Sequence, residues 1–274
     1  MGIVLGLAAA LLYGGSDFGG GLVSRRLGWL PVNLVATLAA VVLVWAAAVL
    51  FPGPGANFAA VAWGAAGGLG GGGGTLVLYR GLARGQMSVV GPVSAVGAAV
   101  LPVVVGVVLG DRPGVLGAAG VLVALPAIAL VAANGAMKVS RQALADGLTA
   151  GTAFGFLFVA LARAGADGLW PVVAEQTMSL VVVLVTIAVV RTPVRMTARD
   201  AVGPVLVGAS GVAATLLYFA ATQRGMLSTV AILTSLYPGV TVLLARVIGH
   251  ERFAPAQRIG LGLCAVAVLA IAVH

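Results

Sequence analysis

The chain has 274 residues, 61% hydrophobic and 8% charged, with a mean hydropathy of +1.15. Soluble domains carry about 25% charged residues, so there is too little charge here to cover a water-facing surface, and the expected solvent is lipid. Fifteen Lys and Arg against seven Asp and Glu leave a formal charge of +8 and a pI near 11.1. The bases are scattered singly or in pairs between apolar runs, which suits loops that set membrane orientation and excludes a nucleic-acid-binding patch. One cysteine, Cys264, lies in an apolar run, so no intrachain disulfide can form.

A hydrocarbon core of about 30 Å takes about 20 helical residues per crossing. Counting apolar runs between charged, Pro and Gly punctuation predicts ten crossings, near 2–23, 32–51, 57–79, 88–109, 113–133, 142–162, 170–190, 200–222, 227–248 and 254–273. The connections are short, with no room for a soluble domain. Arg25 and Arg26 follow the first apolar run instead of preceding it, the wrong charge order for a cleaved signal peptide.

Sliding the chain against itself by 140 positions aligns its punctuation. Pro31 falls on Pro171, Gly15 on Gly155, Phe18 on Phe158, Thr75-Leu76 on Thr215-Leu216 and Arg84-Gly85 on Arg224-Gly225. Ser88 falls on Ser228, Val90 on Val230, Asp111-Arg112 on Glu251-Arg252 and Gly120 on Gly260. Five crossings per copy, an odd number, make the second copy enter the membrane from the opposite side. The expected fold is therefore an all-α membrane protein of ten transmembrane helices in two inverted five-helix repeats, residues 1–133 and 142–274. Inverted repeats allow a central site to open alternately to each side.

The segments Leu12-Tyr13-Gly14-Gly15-Ser16-Asp17-Phe18, Leu78-Tyr79-Arg80-Gly81-Leu82-Ala83-Arg84-Gly85 and Gly249-His250-Glu251-Arg252-Phe253 resemble the drug/metabolite transporter superfamily, EamA-like branch. The similarity runs from Gly2 to the end of the chain. It implies a ten-helix plasma-membrane transporter of small metabolites, often an exporter, with a central cavity between the repeats and no cofactor. Asp111 stands where the family usually has the glutamate seen at Glu251.

Several residues are candidates for the cavity. Asp17 lies about 22 Å along its helix from Gly2, and an acid inside a span is costly enough to face the bundle interior or find a partner; Arg25 and Arg26 are the alternative partners at the interface. Glu175 could serve the cavity, or could complement the helix dipole and reach back to water. Tyr13, Tyr79, Tyr218 and Tyr237 could line a pocket with Gln176, Gln223, Thr75 and Thr215, although Tyr79, followed by Arg80, also suits the interfacial aromatic belt. The Gly70 to Gly74 run suits either close helix packing or a hinge, and Pro92, Pro102 and Pro238 are expected to kink the fourth and ninth helices.

Enzyme chemistry is poorly supplied. His250, His274 and one cysteine cannot form a metal site, no Ser, His and Asp set stands on neighbouring spans, and Lys138, the only lysine, belongs to no phosphate loop. The expected function is a secondary transporter of small organic metabolites, amino acids or drug-like solutes, with protons as a candidate coupling ion, the lipid bilayer as surroundings, and monomer and homodimer both open. A lipid scramblase or membrane assembly subunit is the competing class. Twelve bases fall in odd-numbered connections and three, Arg112, Arg163 and Arg224, in even-numbered ones. The positive-inside rule then puts both termini outside, whereas the resemblance puts them inside.

Overall fold

A computed structural model of the protein describes residues 1–51, 53, 55–84, 87–112, 114–132, 140–165, 168–191, 196–249 and 255–272. Lys138, Arg195, His250, Glu251, Arg252, Phe253 and His274 lie outside these, as does most of the expected joint between the halves. Among the described residues the fold is all-helical. Its segments are α1 (Gly2–Leu27), α2 (Trp29–Leu50), α3 (Phe58–Ala83), α4 (Met87–Val108), α5 (Val115–Ala132), α6 (Arg141–Arg163), α7 (Trp170–Val190), α8 (Val202–Thr222), α9 (Leu227–Thr234), α10 (Tyr237–Gly249) and α11 (Pro255–Ala272). Five of them, α1, α2, α6, α7 and α8, are long and apolar enough to cross a membrane.

The expected spans fall on these helices within a few residues at each end, except the ninth, which is two helices. Pro238 has no N–H to give the carbonyl four residues back, that of Thr234, and its ring would crowd that carbonyl; Thr234 is the last residue of α9. The chain passes the break through tighter bonds, Leu236 N–H to Leu233 O at 3.3 Å and Gly239 N–H to Leu236 O at 2.9 Å. The fourth span, by contrast, runs as one helix across Pro92 and Pro102. Between α1 and α2 a single residue, Gly28, turns the chain at φ 86°, a left-handed angle that favours glycine.

The distribution of side chains is inverted relative to a soluble bundle. Helix α1 buries Gly2, Gly6, Ala9, Ala10, Gly14, Ser16, Gly20, Gly21 and Ser24, while Val4, Leu11 and Leu22 face outward. The same holds for α2, whose Val42, Leu43, Val49 and Leu50 are exposed. Small residues inside let helices approach where no hydrophobic force drives them together, and large aliphatic ones outside match lipid.

These small faces fix the packing. Helix α3 runs parallel to α7, with Gly64 against Pro171, Gly68 against the Glu175 carbonyl and Gly72 against Ser179. It runs antiparallel to α6, with Gly70 against Ala153, Gly74 against Phe154, and Trp63 under the Arg163 guanidinium at 5.9 Å. Helix α1 is antiparallel to α8, where Ser210 Oγ donates to Leu12 O at 2.9 Å and Ser16 Oγ to Val207 O at 3.1 Å. Helices α4 and α6 are parallel, Ser94 meeting Gly151 and Leu101 meeting Gly155, as are α1 and the α9–α10 pair, Thr234 meeting Gly6 and Tyr237 meeting Gly14. Helices α5 and α11 pack chiefly on each other. Asp111, beyond α4, accepts from the Ser228 N–H at 2.9 Å and so caps α9.

The Gly70 to Gly74 run is thus mostly a packing device. A Cβ on Gly71 would lie 2.6 Å from Glu175 Oε1, on Gly72 2.8 Å from Ser179 O and on Gly74 2.8 Å from the Phe154 ring, whereas one on Gly73 would meet nothing within 4 Å. Gly72→Ala should therefore destabilise by about 1–3 kcal/mol through overpacking. Gly73→Ala should instead be neutral or stabilising by up to about 1 kcal/mol through helix propensity. Thermal unfolding of the two variants in detergent checks the contrast; equal midpoints would show that the run is not held by its neighbours.

Candidate functional site

Polar residues recur four apart on the inward stripes of several helices, which brings them to one face. Tyr13 and Asp17 lie on α1, Asn33 and Thr37 on α2, Thr75 and Tyr79 on α3, and Glu175 and Ser179 on α7, while α8 brings Thr215 alone. They converge on one cavity of about 110 Å³, completed by Phe154, Leu157 and Phe158 of α6 and by Tyr237 at the start of α10. No Lys, Arg or His lines it among the described residues.

Of the residues expected from the sequence, Tyr13, Asp17, Thr75, Tyr79, Glu175, Gln176, Thr215 and Tyr237 all line this cavity. Tyr218 does not: it is fully buried behind Phe158, its ring centroid 4.4 Å from that ring, and its hydroxyl donates to Phe158 O at 3.0 Å. Gln223 is exposed at the end of α8. Asp17 lines the cavity, and the two ion pairs found among the described residues, both at Asp146, do not include it. Tyr79 is 3% exposed and packs against Gly20 of α1, where a side chain would overlap its hydroxyl. It is a cavity residue rather than part of an aromatic belt.

Glu175 follows Pro171, which starts α7 at a position where a missing N–H costs nothing. It is 2% exposed, so it does not reach back to water. Its Oε1 accepts from Ser179 Oγ at 3.1 Å, and the Gln176 side-chain amide is also in reach of the carboxylate. Across the cavity, the Thr215 hydroxyl gives its proton to Gly211 O at 3.1 Å, and Tyr13 OH lies 2.9 Å from Thr215 Oγ1. One consistent chain therefore runs from the tyrosine through the threonine to the backbone. The Tyr13 ring sits between Phe158 and Tyr237, at centroid distances of 6.0 and 6.5 Å.

Sequence reasoning missed Ser16, Asn33, Thr37, Phe158 and Ser179 as lining residues, and Asp146 altogether. The four-residue spacing of Asn33 with Thr37 and of Glu175 with Ser179 was the available signal. Asp146, on α6, holds both arginines at the end of α3, Arg80 at 2.6 Å and Arg84 at 3.2 Å.

Residues 143–273 match the EamA-like transporter family. This part of the chain is thus similar to that family, which is part of the drug/metabolite transporter superfamily. Together with the five helices long and apolar enough to cross a membrane among the described residues, the match indicates a multi-pass integral membrane protein. No curated protein matches it by sequence. A crystal structure of another protein aligns over 99% of this chain and 96% of its own, with a TM-score of 0.79 at 16% identity, which shows that the fold is shared and nothing more.

Tyr218 and Tyr13 separate scaffold from cavity. Tyr218→Phe removes one buried hydrogen bond to a carbonyl and should cost about 1 kcal/mol without altering the cavity lining. Unfolding in detergent reads the loss, and a variant as stable as the parent would show that the Tyr218 hydroxyl does not brace α6.

Proposed function

We propose that the protein is a secondary transporter that exports a small organic solute by alternating access through the cavity between its two halves. The observation that carries this reading is the cavity itself: polar, carboxylate-bearing, and lined jointly by α1 to α3 and by α6 to α8 with α10, inside a helical molecule whose outer surface is aliphatic. In this reading ten crossings form two inverted repeats, residues 1–133 and 142–274, with α9 and α10 together making the ninth.

The packing pattern supports it. Under a shift of 140 positions the parallel pair α4 and α6 corresponds to α9–α10 with α1, and the antiparallel pair α3 and α6 corresponds to α8 with α1. The α3–α7 crossing, at Gly68 and the Glu175 carbonyl, corresponds to the α8–α2 crossing, at Gly208 and the Ala36 carbonyl. Thr75 and Thr215, equivalent under the shift, both bond the carbonyl four residues back, Gly71 O at 2.7 Å and Gly211 O at 3.1 Å.

Reconstituted protein in liposomes is expected to move at least one member of a broad panel of amino acids, nucleobases and amphiphilic drugs. Equilibration of labelled lipids with no solute flux would sink this reading in favour of a scramblase. Asp17 is the residue placed to carry the coupling proton, since an acid in a dry span needs a partner or a proton. Asp17→Asn should abolish gradient-driven accumulation while leaving solute binding intact, and unchanged accumulation at normal expression would make Asp17 structural.

Charge counting orients the chain with both termini outside. The connection between α7 and α8, where Thr197 is exposed, would then be cytoplasmic. With Cys264 replaced, a single cysteine at position 197 should resist an impermeant thiol reagent in intact cells; labelling would reverse the orientation.

A further inference from the structure

The charge balance of the cavity identifies the kind of solute it takes. Asp17 and Glu175 both line it, and no basic side chain does, among the described residues. The nearest cluster of arginines cannot serve, because Arg80 and Arg84 are held by Asp146. Whatever offsets the two carboxylates when both are ionised comes from the cavity contents.

Glu175 is the better defined of the pair. The α3–α7 crossing pins its backbone, its peptide carbonyl lying against Gly68, and the carboxylate occupies room that exists only because residue 71 is glycine. A carboxylate has about four acceptor sites. Ser179 supplies one donor to Oε1, and its single hydroxyl proton is also in reach of Gly68 O at 3.1 Å. The Gln176 side-chain amide is the other donor in reach of the carboxylate, so its acceptor capacity is only partly used. A carboxylate in the cavity lining with acceptor capacity to spare suits a ligand donor.

The rest of the lining suits the same ligand. Tyr13, Tyr79, Phe158 and Tyr237 bring aromatic rings to the space, and ring faces attract a cation while also accepting an apolar body. A metal ion fits poorly: no group of three His, Cys, Asp or Glu side chains stands together among the described residues, and hard cations take six or more oxygen ligands or keep their waters. An anion would meet two carboxylates and no base. We propose that the cavity takes a small organic cation, an amine with an apolar or aromatic body, and that Glu175 is its counter-ion. The proposal rests on the reading of this cavity as the transport site, with Asp17 left to the proton.

Three probes of matched shape test it on the purified full chain in detergent: phenethylammonium, neutral 2-phenylethanol and anionic phenylacetate, with affinity measured by calorimetry. Phenethylammonium is expected to bind at least tenfold more tightly than 2-phenylethanol, and phenylacetate not to bind. Glu175→Gln should lose at least tenfold in affinity for the ammonium while keeping that for the alcohol, which also reports that the variant is folded. The wild-type ranking stands alone if that variant does not fold. Equal or tighter binding of the alcohol or the carboxylate, no binding of the ammonium at millimolar concentration, or an unchanged ammonium affinity in folded Glu175→Gln would each overturn the proposal. Liposome flux separates the two readings. Ammonium binding without movement of any solute supports the cation site and removes transport, whereas flux of neutral solutes with no preference for the ammonium removes the cation site and leaves transport.

Discussion

Helices surrounded by lipid gain little from burying aliphatic surface against one another, so they associate only where their backbones can come close. This constraint governs the molecule. Helix α3 meets α7 at Gly64, Gly68, Gly71 and Gly72, and α6 at Gly70 and Gly74, so that glycines on different faces of one helix receive two neighbours. Filling those positions would move α7, and with α7 the Glu175 carboxylate, which lies directly over Gly71. The site depends on a packing contact made by the absence of side chains.

Close backbones also dispose of the polar groups. Hydroxyls reach carbonyls on adjacent helices, Ser16 to Val207, Ser210 to Leu12, Ser179 to Gly68, Tyr218 to Phe158 and Thr241 to Gly14. Each such bond adds about 1 kcal/mol or less in a membrane setting, and together they stitch crossings that dispersion alone would leave loose. Neutral groups are thereby consumed by the scaffold. Of the buried acids, Asp146 is consumed too, by two arginines. What the scaffold leaves on the cavity, among the described residues, is Asp17 and Glu175, the two acids on which the proposed function rests.

The helices were legible because hydropathy and length decide a span, and the Gly run because small residues have one main use in lipid. The division of the ninth span was only partly legible: proline marked the place, but whether a helix bends or breaks depends on what its neighbours offer the freed carbonyls, and α4 stays continuous over two prolines. Tyr218 was misplaced because its sequence neighbourhood matches that of Tyr79, while its depth depends on Phe158 across the gap. Asn33 and Asp146 escaped notice for opposite reasons. Asn33 is a single polar residue near a proline, readable as a helix start, and Asp146 sits close enough to a span end to look solvated; only tertiary packing shows it 5% exposed beside the end of α3.

Under the proposed pseudo-symmetry the two halves share packing but not chemistry. The positions 140 from Asp17 and Glu175 are Leu157 and Val35, so each half contributes one acid and the two are not equivalents. The Asp146 cluster has no counterpart under the shift: Arg80 and Asp146 correspond to Ala220 and Gly6. Among the described residues this charged clasp joins α3 to α6. Its arginines are 37% and 43% exposed while the Asp146 side chain is 6% exposed, so the cluster stands between a surface ion pair and a buried one. In the proposed transport reading, alternation would need two packings of similar energy, and a clasp joining one pair of helices would bias one of them against the other.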